Sequence, residues 1–284
     1  MDADAFSDAA IILVGHGATT HAGSAAPAYL HGDELRRRGN FAEVTEAFVR
    51  QDPSLAGALR RVFSRRVFIV PLLVSDGWLA DQMVPVELGL REPRARELRR
   101  VRHVGGRTVR YCRPVGSHPA MTKVLLARAR AVLEAHPFPR PEPAETTLVI
   151  AGHGTAYSPG SRLAVESQVE TLRRMGECEY AEVHGVYLEE PPSVDRTWEL
   201  GGMKNLVLVP YFISDGLHTQ EDIPVMLGEP RESVRRRLEE GLPPWVNPTG
   251  RNGRRLWYAA ALGTEPLLTE VIMERVREAA GWTG

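Results

Sequence analysis

Three apolar runs in this chain end on residues able to do metal chemistry. Val149-Ile150-Ala151-Gly152-His153-Gly154 closes the first with a histidine between two glycines. A second, residues 183–188, is followed by Glu189 and Glu190. A third, residues 206–213, leads through Ser214-Asp215-Gly216-Leu217 to His218. Neutral imidazole is a good ligand for divalent transition metals, and a carboxylate can bind metal or accept a proton. Glycine beside a histidine lets the backbone turn sharply and a bulky ligand come close. If the fold brings the three run ends together, His153, Glu189 and His218 form a catalytic and metal-handling set. Gly152, Gly154 and Ser214 are then expected to line the substrate.

The elements that would position this set read as alternating strands and helices. In the first half, strands are expected at 10–14, 41–49, 66–74 and 107–112. Helices are expected at 24–38, 53–63, 84–90 and 118–135, the second with proline in its first turn. The second half repeats the order. Its first helix carries Val165, Val169, Leu172 and Met175 on one face before Gly176, and its last carries Leu268, Val271, Ile272 and Val276. Nearly continuous apolar strands separated by helices mean a parallel sheet covered on both faces. In such sheets ligands bind beyond the carboxyl ends of the strands, where the three candidate groups fall.

The halves are copies of one another. Ile12-Leu13-Val14-Gly15-His16-Gly17 repeats at Val149 to Gly154, an offset of 137. Pro71 to Gly77 (PLLVSDG) repeats at Pro210 to Gly216 (PYFISDG), an offset of 139, and Tyr111 to Thr122 repeats at Tyr258 to Thr269, an offset of 147. Collinear matches mean duplication. The expected architecture is two α/β domains of about four parallel strands, with helices on both faces and a cleft between them. The sequence places the domains at 1–136 and 147–284, joined by the proline-rich linker 137–146. The copies differ where chemistry is expected. Arg50 stands where the second has Glu189, and Leu79 where it has His218, so only His16 remains. The second half is expected to handle metal, and the first to bind anionic substrate through His16 and Arg50.

Composition narrows the class. A net charge of −1 argues against a nucleic-acid binder held by bulk electrostatics. No apolar run approaches a membrane span, and the acidic start is not a signal peptide. Cys112 and Cys178 form no CxxC pair, so neither a disulfide framework nor a cysteine metal site is suggested. A cytoplasmic protein is expected. Arg113 and Arg162 are further candidates for gripping carboxylates. His21, His31, His103, His118, His136 and His184 have no matching partners and are expected to be structural or solvated.

These motifs carry a resemblance. The Gly-His-Gly opening, Tyr187-Leu188-Glu189-Glu190-Pro191-Pro192-Ser193, the run from Val209 to His218 with Glu221-Asp222-Ile223-Pro224, and the Leu262-Gly263 turn resemble class II tetrapyrrole chelatases of the sirohydrochlorin (CbiX and SirB) type, in their two-repeat form. The resemblance covers nearly the whole chain. It implies insertion of a divalent ion, cobalt or ferrous iron, into sirohydrochlorin or a related tetrapyrrole, for cobalamin or siroheme biosynthesis. His153 and His218 would bind the metal and Glu189 would assist as base or ligand. The metal is a substrate and no prosthetic group is implied. The expected partners are tetrapyrrole and metal, not nucleic acid or membrane, in a monomer or homodimer. Two-domain relatives usually carry the paired histidines in the N-terminal half; here that half has Leu79. A non-catalytic carrier of metal or tetrapyrrole is the alternative. A histidine phosphatase is disfavoured, because Gly15 and Gly152 stand where such a site wants arginine.

Overall fold

The structure is a computed structural model and describes residues 5–18, 22–155, 159–175 and 178–283. His21 and Gly176 lie outside the described residues. The chain divides into two compact units, residues 1–119 with 266–284, and residues 120–265.

The first unit is built on a five-stranded sheet in the order β2-β1-β3-β5-β4. Its strands are β1 (Ala9–Gly15), β2 (Glu43–Phe48), β3 (Arg66–Pro71), β4 (Val101–Val104) and β5 (Arg107–Tyr111). The second repeats the pattern as β7-β6-β8-β10-β9, with β6 (Thr146–Gly152), β7 (Glu182–Tyr187), β8 (Asn205–Pro210), β9 (Thr249–Arg251) and β10 (Arg254–Tyr258). All seven residues of β1 and of β6 are buried, as a central strand covered on both faces requires. Four strands of each sheet are parallel. The fifth, β4 or β9, pairs antiparallel at the edge. The expected four-strand sheets are thus five-stranded. The edge strands leave little apolar pattern in the sequence because they are short, polar and joined to β5 and β10 by tight turns, Gly105-Gly106 and Asn252-Gly253.

The helices are α1 (Ala26–Arg38), α2 (Val84–Glu87), α3 (Met121–Ala135), α4 (Gly160–Arg174), α5 (Ile223–Met226), α6 (Arg231–Glu239) and α7 (Leu268–Ala280). Helix α1 stops at Gly39, whose φ of 66° supplies the left-handed cap. Two expectations change. The helix expected over 53–63 is only a 3-10 turn, Ala58–Arg61. The one over 84–90 shrinks to α2, preceded by a π-helical turn, Trp78–Met83.

The unit boundaries also depart from the division at 136 and 147. Helix α3, which follows the first sheet in sequence, packs on β8, β10 and α4 of the second unit. Helix α7, which follows the second sheet, packs on β3, β5 and α1 of the first. The duplicated segment ends after its closing helix, whereas each compact unit takes the closing helix of the other copy. The buried stripe of α7 (Leu268, Val271, Ile272, Val276) marks a buried face but not the sheet that buries it. Its Thr269 Oγ1 meets His31 Nδ1 at 2.7 Å, a fully buried pair that makes His31 structural.

Among the described residues no helix is long and apolar enough to cross a membrane. Cys112 and Cys178 are both free thiols.

Candidate metal-handling site

In the second unit β6 pairs with β7 on one side and β8 on the other. The chain therefore turns to opposite sides of β6 on leaving and re-entering the sheet. The crevice beyond the carboxyl ends of β6 and β8 is the topological switch point of this sheet. His153 follows β6 and His218 follows β8, so the two imidazoles flank that crevice. Their ring centroids are 4.9 Å apart and the planes cross at 75°.

Glu189 joins them through backbone pairing. The N–H groups of Leu188 and Glu189 both donate to His153 O, at 3.0 and 3.2 Å. Glu189 Oε1 lies 3.7 Å from His153 Nε2, too far for a hydrogen bond. No bond has to break before either group engages an ion. The adjacent Glu190 turns elsewhere, to Arg162 Nη1 at 2.9 Å. Arg162 also holds Glu166 and stacks over the Tyr187 ring, so its charge is committed within the protein.

His218 opens a π-helical turn, His218–Asp222. The wider turn is closed by Ile223 N–H donating to His218 O. Within it His218 Nδ1 and Asp222 Oδ2 are 2.8 Å apart. A carboxylate only accepts, so Nδ1 carries the proton and Nε2 keeps its lone pair for an ion. Asp222 has no role assignable from its motif alone. Its four-residue spacing from His218 is the signal in the sequence, since that spacing places both on one helical face.

Two buried groups brace this turn. Thr219 Oγ1 accepts Gly216 N–H and donates to Asp215, which also accepts Ala261 N–H. Tyr258 Oη donates to Thr219 O at 2.6 Å, and burial pushes its own pKa well above the ordinary range. We expect Tyr258→Phe to lower stability by about 1–2 kcal/mol in chemical denaturation, the cost of losing one buried hydrogen bond.

Gly152 and Gly154 serve packing. Both are buried. A Cβ on Gly152 would stand 2.6 Å from Val165 of α4, and one on Gly154, at φ 60°, 2.6 Å from Tyr187 Cβ. The room they leave is filled by protein. Ser214 is half-buried in the loop after β8.

Burial holds the pKa of His153 below the ordinary 6.5; the nearby His218 lowers it further, and Glu189 opposes both. The neutral imidazole therefore survives to lower pH than a free histidine. A proton and a metal ion would compete for the same ring nitrogen, so metal affinity at His153 would fall only as pH drops through that lowered pKa. In an NMR titration of the His153 ring, we expect a midpoint below 6.5. It should move up in His218→Ala and further down in Glu189→Gln. A midpoint above 6.5 in the unaltered protein contradicts this.

The first unit reproduces the scaffold with Arg50 and Leu79 in place of Glu189 and His218. Arg50 N–H donates to His16 O at 2.9 Å, as Glu189 N–H does to His153 O. Leu79 receives Val84 N–H on its carbonyl, as His218 receives Ile223 N–H. Tyr111 Oη donates to Ala80 O as Tyr258 does to Thr219 O. His16 is exposed, with Nδ1–H donating to Gly17 O at 2.9 Å, and Arg50 is exposed. Among the other histidines, His184 meets Glu182 at 3.3 Å and His118 meets Glu278 at 3.3 Å.

Among the described residues no group of three His, Cys, Asp or Glu side chains is closed around a position that could hold a metal. The edge offers two imidazoles and an exposed carboxylate in an open arrangement. That suits an ion passed onward better than a structural metal, whose site is closed.

Sheet order, duplication and this one-sided pair of histidines define a class: twinned α/β proteins with paired imidazoles at the switch point of one sheet. The CbiX family pattern matches residues 10–132 and again 147–279. The chain belongs to the CbiX family. It is 34% identical over 285 residues to a probable sirohydrochlorin cobaltochelatase of Halobacterium salinarum, covering 97% of this chain and 93% of the relative. A multi-domain Deinococcus radiodurans protein with structural similarity to chelatases superposes with a TM-score of 0.72 at 27% identity; the match covers 96% of this chain and 54% of that one, so the chain spans about half of that protein. The sirohydrochlorin chelatase SirB of Bacillus subtilis, solved with cobalt, matches with a TM-score of 0.61 over 96% of this chain and 95% of its own; at 17% identity this likeness concerns fold alone.

Proposed function

We propose that the chain is a sirohydrochlorin-type chelatase that inserts cobalt or ferrous iron into the metal-free macrocycle. The observation that carries this is the His153–His218 pair, 4.9 Å apart at a switch point with Glu189 beside it. The naming of its Halobacterium relative supports the substrate.

The reaction joins a divalent ion to a macrocycle that gives up two pyrrole protons. An ion must lose water, and the protons need acceptors. His153, kept neutral by burial, and Nε2 of His218, exposed by the Asp222 hydrogen bond, replace water on the incoming ion. Glu189 is half-exposed and carries no hydrogen bond to His153, which leaves its carboxylate available to take a proton or steady the ion. His16, Arg50 and Ser214 are assigned to substrate. The protein needs no prosthetic group in this reading and works in the cytoplasm.

The test is an anaerobic absorbance assay with sirohydrochlorin and cobalt or ferrous ion. Insertion faster than the spontaneous rate is expected. Tight binding of tetrapyrrole or metal with no acceleration by either ion instead favours the carrier reading.

A further inference from the structure

The first unit keeps the backbone of the metal-handling edge but changes its chemistry in one direction. At equivalent positions Glu189 becomes Arg50, His218 becomes Leu79, Asp222 becomes Met83, Leu217 becomes Trp78 and Ala260 becomes Arg113. The histidine and its carboxylate partner are lost together, and Leu79 and Met83 pack instead against the core beneath. Two cations are added at the carboxyl edge of the sheet. Arg50 follows β2 and Arg113 follows β5, and both are exposed. Neither guanidinium is held by a hydrogen bond or ion pair to the described residues. Arg100, by contrast, is occupied by Asp81 and Asp76. Trp78, which opens the π-helical turn, is 61% exposed, an unusual cost for the largest aromatic side chain.

From this pattern we infer that the first unit's edge is a converted site that binds the metal-free macrocycle itself, Trp78 against its apolar face and Arg50 and Arg113 on its peripheral carboxylates. The inference rests on the chelatase reading. Charge selects the ligand class. Where the second unit presents a carboxylate and two imidazoles for a cation, the first presents two guanidiniums unpaired among the described residues, whose forked geometry suits carboxylates. An exposed indole following β3, at the same carboxyl edge of the sheet, suits a flat, conjugated ring. The added positive charge disfavours a metal ion at this edge.

The experiment titrates the full chain with metal-free sirohydrochlorin, following quenching of tryptophan fluorescence, at several salt concentrations. Cobalt binding is measured separately by calorimetry. The variants are Trp78→Phe, Trp78→Ala and Arg50→Ala/Arg113→Ala; all three side chains are exposed. Trp78→Ala should raise the Kd for sirohydrochlorin about tenfold, the scale of losing one aromatic stacking partner, with Trp78→Phe intermediate. The double arginine variant should weaken binding and flatten its salt dependence, a change that mere loss of packing does not produce. Cobalt affinity should stay unchanged in all three. Wild-type binding with the same Kd and salt slope in every variant overturns the inference while leaving the chelatase reading intact. No sirohydrochlorin binding and no turnover by the wild type overturns both.

Discussion

His218→Ala is expected to reduce catalysed metal insertion by about 10³-fold, the range associated with removing a positioned acid–base or ligand group. The variant takes away one of two imidazoles at the switch point, leaving His153 with a half-exposed carboxylate and no opposing donor. His153→Ala should be as damaging, and the double variant little worse, because the two rings act as a unit on one ion. His16→Ala is the informative contrast. His16 sits on an identical turn, yet its neighbours are Arg50 and Leu79, so it cannot replace the pair. Its loss should leave cobalt affinity near that of wild type. Equal losses of cobalt affinity in His16→Ala and His218→Ala would sink the assignment of metal handling to the second unit. Circular dichroism separates these outcomes from unfolding; none of the three histidines is in the buried core.

Asp222→Asn should weaken cobalt affinity about 10- to 100-fold, as removal of a carboxylate behind a ligating histidine typically does. The 2.8 Å contact between Asp222 and His218 Nδ1 fixes the tautomer that leaves Nε2 unprotonated. The asparagine keeps the size but can offer an N–H, which no longer demands a proton on Nδ1. The shape of the loss distinguishes orientation from charge. Loss of a tautomer lock should change the His218 ring ¹⁵N shifts before any metal is added. If those shifts match wild type while affinity falls, Asp222 acts as a ligand or long-range charge instead.

Much of this arrangement was legible from local pattern. Seven-residue buried strands such as Ala9–Gly15 and Thr146–Gly152 announce themselves as continuous apolar runs, and the helix stripe of Leu268, Val271, Ile272 and Val276 as a helical period. The duplication, and the loss of Glu189 and His218 equivalents from the first copy, need only the aligned letters. The placement of His153, Glu189 and His218 at three parallel strand ends follows from the alternation of elements, because parallel connection delivers every carboxyl end to one edge.

Packing decided the remainder. Glu189 and Glu190 are indistinguishable as letters; Arg162 captures one and the paired backbone at His153 turns the other toward the histidine. The π-helical turn at His218 is braced by the hydroxyl of Tyr258, 39 residues beyond its acceptor Thr219 in sequence. Short polar strands β4 and β9 become strands only because a sheet edge is there to pair with. Most plainly, the sequence determined that α3 and α7 each have an apolar face, but not which sheet covers it. A hydrophobic stripe specifies that surface must be buried, and many apolar surfaces would do. Only the complete set of shapes selects one, and here it assigns each closing helix to the sheet of the other copy.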